Sequence, residues 1–132
     1  LAPFSLSDTK GVRIISVVPS LDTGVCQLQT KRFNDEAKAL DNVEVLTISM
    51  DLPFAQSRFA EEYVVDALGV YSDHKDADFG TKYGFLIEEL RLLNRGIVVI
   101  DADGVIRHIE YVAENTDHPD YDKALEVAKS LA

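Results

Sequence analysis

Runs of β-branched residues alternate with segments of helical periodicity along this chain, and this alternation constrains the fold most. Residues 12–18 are rich in valine and isoleucine and stop at Pro19, which is typical of a buried strand. A helix is predicted from Val25 to about Leu40, because apolar and small residues recur there every three or four positions. Its buried face is predicted to hold Cys26, Thr30, Phe33, Ala37 and Leu40.

The same alternation continues along the rest of the chain. The elements predicted after this helix are a strand, a helix, a strand, a helix and two strands, at 43–50, 53–63, 67–71, 77–83, 96–100 and 105–112. The tight turn 101–104 between the last two strands is typical of an antiparallel hairpin. Pro119 is predicted to open a final helix. Its apolar stripe is predicted to comprise Tyr121, Ala124, Leu125, Ala128 and Leu131.

The order β-α-β-α-β-α-β-β-α indicates an α/β fold. A sheet that begins with strand–helix–strand units is parallel at first, and the closing hairpin makes it mixed. We therefore predict a thioredoxin-like fold, in which helices flank a mixed central sheet. A chain of 132 residues suits one domain, so residues 1–132 are predicted to form a single domain.

Charge and hydropathy exclude several classes of function. The net charge of −10 opposes binding to a nucleic acid or to an anionic membrane surface. No apolar run approaches the roughly 18 residues that a membrane-spanning helix needs. Residues 1–4 (Leu-Ala-Pro-Phe) do not resemble a signal peptide, so the expected location is the cytoplasm.

The chain contains one cysteine, Cys26. A single cysteine excludes an internal disulfide, a CxxC redox pair and a zinc site built from several cysteines. His74, His108 and His118 are not spaced as metal ligands, so no metal site is predicted, and the mechanism implied by the family resemblance described below requires no organic cofactor either. Any redox chemistry at Cys26 must therefore recruit a partner from outside the chain.

The position of Cys26 in the predicted order favours chemistry over simple packing. Most lone cysteines are small buried apolar groups, but this one falls in the first turn of a helix that follows a buried strand. Ligands of α/β sheets gather at the carboxyl ends of strands, and the unpaired N–H groups of a helix start favour a thiolate. Asp22 or Thr23 could cap this helix, and the Thr23 hydroxyl could instead point at the sulfur. Pro19 could shield the pocket or merely end the strand.

Residues 19–26, Pro-Ser-Leu-Asp-Thr-Gly-Val-Cys, resemble the peroxidatic loop of the bacterial thiol peroxidases, the Tpx subfamily of the peroxiredoxins. The general peroxiredoxin pattern Pro-x-x-x-Thr-x-x-Cys is matched at Pro19, Thr23 and Cys26. The resemblance spans nearly all of the chain after Gly11. Its further motifs are 29–34 (Gln-Thr-Lys-Arg-Phe-Asn), 51–59 (Asp-Leu-Pro-Phe-Ala-Gln-Ser-Arg-Phe), 72–74, 76–80 and 119–122.

The resemblance implies an enzyme that reduces hydrogen peroxide and alkyl hydroperoxides and leaves Cys26 as a sulfenic acid. Cys26 is then the nucleophile, Thr23 orients sulfur and peroxide, and Pro19 shields the product. Arg95 would hold the thiolate and polarise the peroxide, although the residues alone favour a solvent-exposed charge at a strand end. Thioredoxin as the reductant and a symmetric homodimer are implied as well.

Ala60 stands where the relatives usually carry a resolving cysteine. The chain is then either a one-cysteine variant that an outside thiol resolves, or one in which that cysteine has been replaced. A non-enzymatic redox sensor or binding module with a thioredoxin fold is the alternative function. A thiol–disulfide oxidoreductase ranks third, because the CxxC pair is missing.

Overall fold

A computed structural model of the chain describes residues 11–21, 24–37, 43–62, 68–75, 77–114 and 117–131. Over these ranges the chain forms seven strands and four helices. In order they are β1 (Val12–Val17), α1 (Gly24–Ala37), β2 (Val43–Ser49), α2 (Pro53–Glu62), β3 (Leu68–Ser72), α3 (Asp78–Tyr83), β4 (Leu86–Ile87), β5 (Leu92–Leu93), β6 (Gly96–Ile100), β7 (Ile106–Tyr111) and α4 (Tyr121–Leu131).

Five strands form one mixed sheet in the order β3-β2-β1-β6-β7. The pairs β1–β2 and β2–β3 are parallel, whereas β6 is antiparallel to both β1 and β7. Val17, the last residue of β1, lies opposite Gly96, the first residue of β6. The start of β6 is therefore beside the carboxyl end of β1, where the loop to α1 begins. This sheet with its helices confirms the predicted α/β, thioredoxin-like class.

The central strand β1 divides the core into two faces. Successive side chains of a strand point to opposite sides, so Ile14 and Ile15 enter different clusters. Ile14 packs with Phe33 of α1 and with the buried face of α4. Ile15 packs on the other side with Phe85, which precedes the short hairpin β4–β5, and with Leu93 of β5. The predicted stripe of α4 is confirmed, because each of its members lies in or against the first cluster.

The predicted elements within the described ranges agree with the structure to within about two residues, but two details differ. The prediction that Pro119 opens the last helix is wrong. The helix begins at Tyr121, and the Asp120 carboxylate caps it by accepting the backbone N–H of Lys123 at 3.1 Å. The hairpin β4–β5 was not predicted, because strands of two residues are too short to show a periodicity. The predicted end of the first long helix, at 38–40, lies outside the described residues.

The turn between β6 and β7 is built around Asp101. Its carboxylate accepts the backbone N–H groups of Asp103 and Val105, both at 2.9 Å, and the side chain of Arg107 at 2.7 Å. The bond from Val105 and then that from Arg107 lower the pKa of Asp101 most, while partial burial acts in the opposite direction. The predicted hairpin turn is confirmed. None of the helices in the described ranges has the length and apolar character that crossing a bilayer requires.

Candidate active site

Cys26 is the third residue of α1 and lies in its first turn, as predicted. Its side chain is fully buried, with 0% of its surface exposed. It packs in an apolar cluster with Val18, Leu21 and Phe59, and Ala60 of α2 packs against the same cluster. The sulfur is therefore enclosed by these side chains rather than open to solvent.

Asp51, which lies just after β2, binds the loop that leads to Cys26 through hydrogen bonds. The carboxylate accepts hydrogen bonds from the Ser20 hydroxyl at 2.8 Å and from the backbone N–H of Leu21 at 2.7 Å. It also accepts the Ser49 hydroxyl at 2.8 Å. These bonds tie the loop to the end of β2, so Asp51 fixes the entry into α1.

Two of the predicted site residues lie in or beside this loop. Pro19 is buried just beyond the end of β1, in agreement with either of its two predicted roles. Asp22 and Thr23 lie outside the described residues, so the choice of cap and the aim of the Thr23 hydroxyl stay predictions.

Arg95 comes to the same end of the sheet because it immediately precedes β6, which begins beside the end of β1. Only 2% of its surface is exposed, so its interpretation as a solvent-exposed charge is wrong. Its guanidinium Nη1 donates to the Gln29 side-chain oxygen at 2.9 Å. Its backbone carbonyl accepts the N–H of Val112 at 2.9 Å and the Asn94 amide at 3.0 Å.

Gly96 lets the chain pass closely after Arg95. A Cβ atom on this residue would lie 2.3 Å from the backbone oxygen of Glu110 and 2.4 Å from the Phe85 ring. Both distances are far below van der Waals contact, so a larger residue would push β6 away from its neighbours. The position of Arg95 thus depends on a glycine that follows it.

Gln29 is a buried residue of the candidate site that was not predicted as functional, although it begins the motif 29–34. It is 0% exposed and lies one turn after Cys26 on α1. Its side-chain nitrogen donates to the Ser16 hydroxyl at 2.8 Å and to the Val17 carbonyl at 3.4 Å, while its oxygen accepts from Arg95. Its spacing of three from Cys26 was a usable signal, since residues three apart share a helix face.

Tyr121 was predicted only as part of an apolar stripe, but charged groups also lie near its ring. The centres of the Tyr121 and Phe33 rings are 5.4 Å apart in an edge-on arrangement. The guanidinium carbon of Arg32 lies 4.5 Å from the centre of the Tyr121 ring. Burial raises the pKa of the Tyr121 phenol, and negative charge on Cys26 raises it further, while Arg95 and Arg32 lower it. The Tyr121 phenol therefore lies within electrostatic range of both Cys26 and Arg95.

A metal centre is not part of this arrangement. Within the described ranges, no three His, Cys, Asp or Glu side chains are grouped so that they could hold a metal ion. What the described residues assemble instead is a buried thiol and a buried guanidinium, both associated with one face of α1 at the carboxyl end of β1.

Known proteins resemble this chain over most of its length. A family model described as Redoxin matches residues 1–125. A thiol peroxidase of Halalkalibacterium halodurans is 56% identical over 131 residues, which cover 98% of this chain and 79% of that protein. A thiol peroxidase of Bacillus subtilis is 53% identical over 128 residues, covering 96% of this chain and 77% of that one. The crystal structure of a peroxiredoxin-like protein from Aquifex aeolicus superposes with a TM-score of 0.88 at 38% identity, covering 94% of this chain and 74% of that chain.

Proposed function

The chain belongs to the thiol peroxidases of the redoxin family and is a thiol-dependent peroxidase, and we propose that Cys26 is the residue that attacks the peroxide. The observation that carries this proposal is the place of the only cysteine in the sequence. Cys26 lies in the first turn of α1, and the next turn of that helix binds the buried Arg95 through Gln29. A thiol peroxidase needs an ionised sulfur near a fixed positive charge, and the hydrogen bond from Arg95 to Gln29, three residues after Cys26, supports these roles for the two groups.

In the proposed reaction the thiolate attacks the terminal oxygen of ROOH. An S–O bond forms as the O–O bond breaks, so the sulfur is oxidised to a sulfenic acid and the peroxide is reduced. The departing alkoxide takes a proton and leaves as ROH. Arg95 stabilises the negative charge that moves onto this oxygen, because its guanidinium is permanently charged and buried.

Thr23 and Pro19 complete the proposed site. Thr23 orients the sulfur and the peroxide oxygen through its hydroxyl. Pro19 shields the sulfenic acid from water, and its burial at the end of β1 supports this role. Hydrogen peroxide and alkyl hydroperoxides are the proposed substrates, and neither a metal nor an organic cofactor takes part.

The return step needs a thiol from outside the chain. The sequence offers no second cysteine, and Ala60 occupies the position proposed for a resolving one. We propose that thioredoxin is the reductant, that residues 1–132 act as a single domain, and that the protein forms a homodimer. A sulfur that an outside thiol must regenerate after each turn fits a reducing compartment, which supports a cytoplasmic location.

Stopped-flow mixing with hydrogen peroxide or an alkyl hydroperoxide tests the role of Cys26. We expect rapid loss of the one thiol per chain in the parent, with consumption of one equivalent of peroxide, and no consumption of peroxide by Cys26→Ser. Arg95→Lys keeps the charge but loses the planar fork, so its rate constant should fall, whereas Arg58→Lys on the exposed surface of α2 should not change it. A parent that reacts no faster than free cysteine would contradict the proposed role and favour a sensor or binding module.

Ala60→Cys tests the proposed resolving position separately. After oxidation with one equivalent of peroxide, this variant should form an intramolecular disulfide and support turnover with thioredoxin and its reductase. Ala55→Cys on the same helix is the matched control and should form no such disulfide. Turnover that is equal in the parent and in Ala60→Cys would place the resolving chemistry elsewhere.

A further inference from the structure

Gln29 joins β1, α1 and Arg95 through one buried amide. Its oxygen accepts from Arg95 Nη1 at 2.9 Å, and its nitrogen donates to Ser16 Oγ at 2.8 Å and to the Val17 carbonyl at 3.4 Å. A flipped amide would face its nitrogen to the guanidinium, which only donates, and its oxygen to the Val17 carbonyl, which only accepts. The Val17 carbonyl therefore fixes the orientation in which Gln29 accepts from Arg95, and the Ser16 hydroxyl gives the amide nitrogen a second partner.

The chemical type of this partner matters because Arg95 is almost fully buried. A carboxylate at the position of the Gln29 amide would form an ion pair with Arg95 and take up part of its positive charge. An amide oxygen instead accepts a hydrogen bond while carrying no net charge. Gln29 thus holds the guanidinium in place and adds no negative charge of its own beside it.

The position of Gln29 in α1 links its hydrogen bond with Arg95 to the side of the helix that carries the Cys26 sulfur. Gln29 follows Cys26 by three residues, and side chains with this spacing lie on the same helix face. A shift of the amide would move Arg95 relative to that face. A displacement of about 1 Å in a catalytic group can cost up to about a hundredfold in rate.

We propose that Gln29 is a positioning residue for peroxide reduction, and that it holds Arg95 beside the Cys26 face of α1 without neutralising it. This inference rests on the proposed role of Arg95. Ser16 serves as the anchor of the amide. Neither residue needs to contact the peroxide.

A double-mutant cycle tests the proposal with stopped-flow oxidation by hydrogen peroxide. Gln29→Met keeps the length and approximate volume of the side chain but removes the acceptor, so the second-order rate constant should fall roughly tenfold. Gln27→Met on the same helix is the matched control and should leave the rate unchanged. In an Arg95→Met background, Gln29→Met should change the rate by less than about twofold, because the group on which it acts is gone.

The outcomes of this cycle separate the two proposals. If Arg95→Met reacts as fast as the parent, the proposed role of Arg95 fails. If Arg95→Met is slow and Gln29→Met costs the same factor in both backgrounds, Arg95 keeps its role and the positioning by Gln29 is refuted. A parent-like rate for Gln29→Met alone refutes it as well.

Two further variants keep the proposal falsifiable if Gln29→Met does not fold. Ser16→Ala removes the anchor, so the rate should fall about threefold, and this loss should vanish in the Arg95→Met background. Gln29→Glu keeps an acceptor for Arg95 but adds a negative charge, so the pH–rate profile of thiol oxidation should move to higher pH. A profile that does not move would show that the neutrality of Gln29 is irrelevant, and it would overturn the proposal.

Discussion

Replacement of Asp51 measures how firmly the loop before Cys26 is held. Its carboxylate accepts three hydrogen bonds, from the Ser20 hydroxyl at 2.8 Å, the Leu21 backbone N–H at 2.7 Å and the Ser49 hydroxyl at 2.8 Å. Asp51→Ala removes all three. Asp51→Asn keeps one oxygen, which can still accept from Leu21 and Ser49, while the Ser20 hydroxyl can rotate to accept from the new amide.

The size of the effect follows from the partners that each variant leaves unpaired. Hydrogen bonds to a charged group contribute about 1.5–3 kcal/mol each, but three bonds to one carboxylate do not add in full. The two hydroxyls can turn to other partners, whereas the N–H of Leu21 cannot, and Leu21 is 1% exposed. We therefore expect Asp51→Ala to lower the free energy of unfolding by about 3 kcal/mol and Asp51→Asn by about 1 kcal/mol.

Urea unfolding at pH 7, followed by far-UV circular dichroism, measures these differences. Asp35→Ala is the matched control, because Asp35 pairs with Lys31 on the exposed side of α1, and it should cost less than about 0.5 kcal/mol. The Asp51 variants should also react more slowly with peroxide, in the same order as their loss of stability. An Asp51→Ala chain that unfolds at the same urea concentration as Asp35→Ala would refute the reasoning.

Three further predictions concern single residues elsewhere in the fold. Gly96→Ala should cost at least about 2 kcal/mol in thermal or urea unfolding, because its Cβ would overlap the backbone of β7 and the Phe85 ring, and Gly24→Ala, whose Cβ meets open space, should cost far less. The lowered pKa of Asp101 means that its carboxylate stabilises the fold above its unfolded pKa of 3.8 and that this contribution is lost as the pH falls through the lower folded value. Asp101→Asn should therefore destabilise the chain at pH 7 and flatten its stability profile below pH 4, and an unchanged acid limb would contradict this. The raised pKa of Tyr121 means that ionisation of its phenol opposes folding, so stability should fall as the pH rises above 10, and this loss should be smaller in Tyr121→Phe.

The sequence was sufficient for elements that carry a strong local pattern. The β-branched run of β1 and the three–four spacing in α1 and α4 specify both the element and its buried face, because periodicity and burial are the same property. The hairpin β4–β5 was not predicted, because each of its strands has only two residues and shows no periodicity. The start of α4 was displaced from Pro119, because proline and a capping aspartate are adjacent and either one can mark a helix start.

The candidate site was predictable to the extent that it is local. The strand–loop–helix order alone singles out Cys26 and leaves two roles open for Pro19, whereas the role of Arg95 entered only through the family resemblance. Nothing near Arg95 in the sequence indicates that it is buried, since its partner Gln29 lies 66 residues away in the chain. Contacts of this range depend on the antiparallel pairing of β6 with β1, which no local pattern encodes.

The burial of Cys26 places different demands on its two proposed reactions. Oxidation requires that a peroxide of a few atoms reach the sulfur, whereas reduction of the sulfenic acid requires the approach of another thiol. Because Cys26 has no exposed surface, the second step needs the wider opening around the first turn of α1. The hydrogen bonds that Asp51 accepts from Ser20 and Leu21 hold the neighbouring loop against such an opening. A looser loop would hold Cys26 less precisely for the attack on peroxide, which should slow that step, but it would open more easily to a thiol, which should hasten the reduction. The stability of the loop therefore acts in opposite directions on the two halves of the cycle.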